Sequence, residues 1–178
     1  MAIYIQTVVE MVLRQLNEDT SFLNIMDYNP HVLSACNEAL AEIYKNKLDM
    51  ICTQTVNITD SYGYDLNHFN DSFLEVLSVK KDGEPVDYRI EGIFLKPDTI
   101  PISGVTVTFK SYPKITSPNE QLTFRENLSY MLADYAVYKI LSSGGAERQT
   151  RAQAYYQSYL RAYAKITPDN AAKIVNKY

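Results

Sequence analysis

No apolar run in this chain exceeds a few residues, far short of the roughly 20 that a helix needs to cross a bilayer. A membrane-spanning helix is excluded on that ground. The segment Met1 to Thr7 lacks the basic start of a secretory signal, so the protein is expected to be made and used in cytosol. Cysteine is scarce. Cys36 falls in a helical pattern, Cys52 lies beside a strand, there is no CxxC, and the only histidines are His31 and His68. Neither a disulfide framework nor a zinc site is expected, and no cofactor.

Glycine is sparse as well, and the glycine motifs of catalysis are missing: there is no GxxxxGK[ST], no GxGxxG and no GxSxG. "SSGGAE" follows a helical pattern, not a strand, and reads as a helix stop whose glycine suits a left-handed C′ position. His68, in "DLNHFND", lies near Asp65 and Asp71, the kind of cluster that could supply a base or a metal ligand. The same Asn and Asp residues satisfy their own backbone in turns, so the segment reads as a surface turn. Enzyme activity has no support in these residues.

What is present is a globular composition: 46% hydrophobic, 12% aromatic and 21% charged. A chain of 178 residues fits one domain. Its charge is uneven. Residues 1–50 hold 3 basic and 7 acidic groups, residues 51–118 hold 6 and 9, and residues 119–178 hold 8 and 5, so the net charges are −4, −3 and +3. Only the last third is basic.

Ile5, Val8, Val9, Val12, Leu13 and Leu16 repeat at helical spacing, which predicts a helix over 5–16 with one buried face. A second helix is predicted from Asn29 as N-cap and Pro30 at the first position, with Leu33, Cys36, Leu40, Ile43, Tyr44 and the stem of Lys47 or Leu48 as its stripe. From Thr53 the period becomes twofold, with Gln54, Val56 and Ile58 on one face. "SFLEVLSVKKDGEPVDYRI" predicts a hairpin turning at Asp82-Gly83, and "GIFLK" and "GVTVTFKSYP" predict two further strands. A helix from about Asn119 to Leu141 follows, apolar on most sides and so central. The last long helix is expected over 145–166. The expected fold class is α+β: a helical bundle of two N-terminal and two C-terminal helices with an inserted small antiparallel β-sheet. As domains this is one, 1–178, with 1–50 helical, 51–118 the β insertion, 119–166 the helical pair and 167–178 a C-terminal tail.

The last helix carries four tyrosines, three arginines and a lysine. At 100° per residue, Ala152, Tyr155, Tyr156, Tyr159, Tyr163 and Ile166 share about a third of the circumference, while Arg161 and Lys165 lie opposite. A single-stranded nucleic-acid site needs rings and cations on one groove, and here they diverge, with Arg148 and Arg151 as partial exceptions at the N-terminal end. The tyrosines therefore read as a packing face against the 119–141 helix with their hydroxyls at its rim. The alternative is a nucleic-acid-binding accessory protein that uses this basic, tyrosine-rich helix.

Two stretches carry a family resemblance. "SYGYDLNHFNDSFLEVLSVKKDGEPV" and "LSYMLADYAVYKILSSGGAERQTRAQAYYQSYLRAY" resemble, respectively, the strand-loop-strand-turn and the helix pair of the head-to-tail adaptor (connector) proteins of tailed bacteriophages. The chain departs from that pattern in having Leu66-Asn67 where the family has Leu-Pro, and in having no tryptophan. The resemblance implies a structural virion protein without an active site at the neck of the particle, assembled in the host cytoplasm. About a dozen wedge-shaped copies would form a ring around a DNA channel, helices making the body and the sheet projecting toward the tail. The implied partners are a portal protein, a tail or nozzle protein, further copies of the chain in a cyclic homo-oligomer (a dodecamer), and transient non-specific DNA, with no membrane. Opposite charge on the first and last thirds favours closing such a ring. An acidic protein lets DNA slide instead of gripping it. The candidate contact residues are Arg148, Arg151, Tyr155, Tyr159, Arg161 and Tyr163 on the last helix, with Ile174, Val175 and Tyr178 in the tail.

Overall fold

The computed structural model describes residues 2–69, 72–123 and 127–167. These gather into two units with separate cores, one from the segments 1–48 and 115–178, the other from 49–114. The fold is α+β, with four helices in the first unit and two antiparallel sheets, of four and three strands, in the second.

In the helical unit, α1 (Ile5–Leu16) buries Ile5, Val8, Val9, Val12 and Leu13, the face its spacing predicts. Its start has no side-chain cap. The free N–H groups of Ile5 and Gln6 instead donate to the carbonyls of Glu120 and Pro118, at 3.1 and 2.8 Å. That contact explains why the helix expected from about Asn119 does not start there. Residues Gln121–Thr123 form a strand, β9, antiparallel to β1 (Ala2–Tyr4), and α3 runs over Asn127–Ser142. Helical spacing was present in 119–123, but the backbone is used to close the two ends of the unit on each other.

Helix α2 spans Phe22–Asn46 and contains Pro30, so the predicted start at Asn29 is too late by two turns. Pro30 has no N–H to give the carbonyl of residue 26, yet its ring is exposed and the helix continues through it. Val32, Ala35, Cys36, Ala39, Leu40, Ile43 and Tyr44 are buried along it. Helix α3 buries Met131, Leu132, Ala133, Ala136, Val137 and Leu141, and touches α1, α2 and α4 (Ala146–Ala164). Between α3 and α4 the chain stops where "SSGG" predicts, for a different reason. Neither Gly144 nor Gly145 has a positive φ. A Cβ at Gly144 would collide with the Arg148 side chain, and the hydroxyls of Ser142 and Ser143 donate to the carbonyls of Lys139 and Ile140.

In the β unit, β2 (Met50–Ile58) alternates as expected: Cys52, Val56 and Ile58 are buried and the odd-numbered residues exposed. It pairs with β8 (Ile102–Tyr112), which pairs in turn with β4 (Ser72–Lys81). The Asp82-Gly83 turn has φ of 52° and 89°, the two positive values that a two-residue hairpin needs. The returning strand β5, however, is only Glu84–Pro85. The ladder makes one more bond, from the Val86 N–H to the Val79 carbonyl at 2.9 Å, and the chain then leaves to form β6 (Tyr88–Glu91), which pairs with β7 (Phe94–Pro97) in the order β3–β7–β6, where β3 is Tyr64–Asp65. The single expected sheet is therefore two. Leu66, Phe69, Val79, Leu95, Val105, Val107 and Phe109 fill the core, with the Phe69 and Phe109 rings stacked at 4.2 Å.

Candidate interaction surface

The tyrosines of α4 face inward. Tyr159 is wholly buried, and its hydroxyl donates to Glu42 Oε2 at 3.0 Å. Its ring packs on Tyr135 at 4.8 Å and Tyr163 at 5.8 Å, while Tyr156 stacks on Tyr138 at 4.5 Å. Lys47 Nζ sits 5.1 Å above the ring of Tyr163. The Tyr135 hydroxyl reaches Glu38 Oε2 at 3.4 Å, and the same carboxylate takes Lys139 at 2.7 Å. Burial, followed by the charges of Glu38 and Glu42, pushes the Tyr135 phenol up to about 12. The same burial, with Glu42 beside it, pushes Tyr159 still further above the ordinary tyrosine range. These hydroxyls donate and do not ionise at neutral pH.

Each predicted contact residue now has a place. Tyr159 is corrected from a contact residue to a core residue, because no part of it reaches the surface. Tyr155 and Tyr163 are half-buried, and the Tyr155 hydroxyl donates to the carbonyl of Gln15 at 3.3 Å. Arg148, Arg151 and Arg161 are exposed, Arg151 lying 3.5 Å from that same carbonyl. Ile174, Val175 and Tyr178 lie outside the described residues. Arg161 thus lies away from the rings on α4, while Arg151 meets Tyr155 at the Gln15 carbonyl, the partial exception at the N-terminal end.

In the β unit, His68 ends a 3₁₀ turn, Leu66–His68, at the surface. Asp65 Oδ1 accepts the backbone N–H of Asn67 at 2.9 Å, so this carboxylate serves its own turn. Among the described residues, no group of three or more His, Cys, Asp or Glu is placed to hold a metal ion. Arg89 and Lys96, beside a shallow cleft lined also by Thr59 and Ser61, are both paired with Glu91, at 2.7 and 2.5 Å.

One surface escapes the sequence pattern as predicted. Leu23 and Met26, on the first turns of α2, are 72% and 54% exposed. The signal that finds them is Ser21 as N-cap followed by the half-buried Ile25 and Tyr28 and the buried Val32, at helical spacing. Placing the start at Pro30 hid that signal. The acids nearby, Glu18, Asp19 and Asp27, are exposed. No family model and no curated protein matches this chain.

Proposed function

We propose that this chain is the subunit of an adaptor ring joining a phage portal to its tail around a DNA channel. The observation that carries the reading is the division of the chain. It leaves a helical unit after Leu48, builds a β unit, and returns at Ile115 to complete the helical one, the order of elements that the resembled adaptors imply. The tyrosine cluster has a mechanical part in this role. Rings that pack on each other, with hydroxyls bonded to Glu42, Glu38 and the Gln15 carbonyl, hold α4 in one position against its neighbours. A ring closes only if every subunit repeats the same angle, so stiffness of the wedge is the functional property.

The partners proposed are further copies of the chain, a portal protein, a tail or nozzle protein, and passing DNA, in the neck of a virion. DNA binding by base stacking on α4 has lost its platform, since Tyr159 is buried and its neighbouring rings are engaged with one another. The test is native mass spectrometry and negative-stain electron microscopy of the purified protein, alone and with the portal protein encoded beside it. Closed rings of about a dozen copies, or a ring formed only on the portal, are the expected result. A protein that stays monomeric under both conditions while binding DNA tightly and with strong salt dependence would favour the accessory-protein alternative.

A further inference from the structure

The exposed stripe on the start of α2 lies in the most one-sided stretch of charge in the molecule. From Gln15 to Tyr44 there is no lysine or arginine, and Glu18, Asp19 and Asp27 are exposed around Leu23 and Met26. Among the described residues none of these three acids is in an ion pair. An apolar helical stripe in a stretch whose charged side chains are acids is repelled by phosphates and by anionic lipid headgroups, which argues against DNA and membrane as its partner. It fits a protein surface with cations around a shallow seat.

The outward side of α4 is such a surface. Arg151, Ala154, Ser158, Arg161 and Lys165 recur at steps of three and four, so they form one strip along the helix. All are exposed; Arg151 also reaches the Gln15 carbonyl and Ser158 donates to Asp134 Oδ2 at 2.6 Å, which puts one carboxylate of α3 at the strip's edge, while Arg161 and Lys165 have no ion-pair partner among the described residues. Arg151 and Arg161 stand about 15 Å apart along the axis at 1.5 Å per residue. Between them Ala154 leaves room for a large side chain. Glu147 is the only acid on this helix.

We propose that the Leu23–Met26 stripe of one copy seats over Ala154 on α4 of a second copy, with Glu18, Asp19 and Asp27 facing Arg151, Arg161 and Lys165. The inference rests on the ring reading and says which two faces make the ring. The patches differ, so the contact is heterologous: each copy offers one of each and the pairing runs head to tail until it closes. Leu23 and Met26 supply apolar area at the centre, and the charges around them fix register and speed encounter.

Two variants and their mixture test this. Leu23→Asp with Met26→Asp destroys the stripe, and Ala154→Glu with Arg161→Glu destroys the seat; all four side chains are exposed, and circular dichroism checks that the fold is kept. The milder pair Leu23→Ala with Met26→Ala serves if the charged one unfolds. Native mass spectrometry is expected to show an oligomer for the unaltered chain and monomers for either variant, with at least ~10-fold weaker association. Mixed one to one, the two variants should form a dimer and nothing larger, because one intact interface remains between them. Variants that assemble like the unaltered chain, or a mixture that stays monomeric, would overturn this pairing of faces and leave the ring reading standing. An unaltered chain that is monomeric both alone and with the portal protein would overturn both.

Discussion

A phenol with no contact to water must keep its proton and have somewhere to donate it. Tyr159 does both through Glu42, and the consequence is measurable. Tyr159→Phe keeps the ring and removes one hydrogen bond to a charged acceptor, so it should destabilise the helical unit by about 1.5–3 kcal/mol. Tyr159→Ala also leaves a cavity and should cost about 3–5 kcal/mol. Urea unfolding of both variants checks the order, and a Tyr159→Phe variant as stable as the parent would mean that the Glu42 bond contributes nothing net. Alkaline pH probes the same residue differently. The Tyr44 and Tyr135 phenols are pushed up to about 12 by burial, and Tyr159 is raised beyond them. Below pH ~10 folded and unfolded chains both keep these protons, and the stabilisation is complete. Above it the unfolded chain releases them first. Stability should therefore fall between pH 10 and 12, by at most ~1.4 kcal/mol per pH unit for each such tyrosine. Melting temperatures across that window should fall less steeply in Tyr159→Phe.

Helix α2 shows how an element can contradict its own strongest local signal. Pro30 reads as a first residue, yet buried positions after it and half-buried ones before it hold one continuous helix. Its missing hydrogen bond should be recoverable. Pro30→Ala restores an N–H for the carbonyl of residue 26 at an exposed position, and should raise stability by about 1–3 kcal/mol in urea unfolding. A loss of stability instead would show that Pro30 shapes a bend on which the unit depends. What was legible in the sequence was whatever neighbours along the chain decide: the buried face of α1, the alternation of β2, the positive φ pair at Asp82-Gly83, and the packing of the α4 tyrosines. What was not legible depends on distant partners. Gln121–Thr123 becomes a strand because residues 2–4 offer an edge, and the run after Gly83 splits between two sheets because Phe94–Pro97 offers residues 88–91 a second edge. The candidate surface divides in the same way. Tyr159 was recognised as packing by its spacing, but its complete burial depends on Tyr135 and Glu42, and Leu23 and Met26 were hidden by a helix start placed two turns late.

At the scale of the whole molecule, the chain holds two hydrophobic cores, and each contains one buried cysteine. Cys36 is buried among the helices and Cys52 in the β unit. Burial pushes the Cys36 thiol up to about 12, so near pH 8 almost none of it is the reactive thiolate, and a thiol reagent must wait for the helical unit to open. Cys52, 9% exposed, reports on the β core in the same way. The β unit is the smaller of the two, and a smaller unit buries a smaller fraction of its surface and is held less firmly. With a maleimide pulse in rising urea and the two cysteines resolved by peptide mass spectrometry, Cys52 should be labelled at lower urea than Cys36. Tyr159→Phe should then move the Cys36 curve to lower urea and leave the Cys52 curve where it was, since the bond it removes lies wholly within the helical unit. Curves that coincide in the parent and shift together in the variant would mean that the two cores open as one cooperative body, and that strain at one is felt by the other.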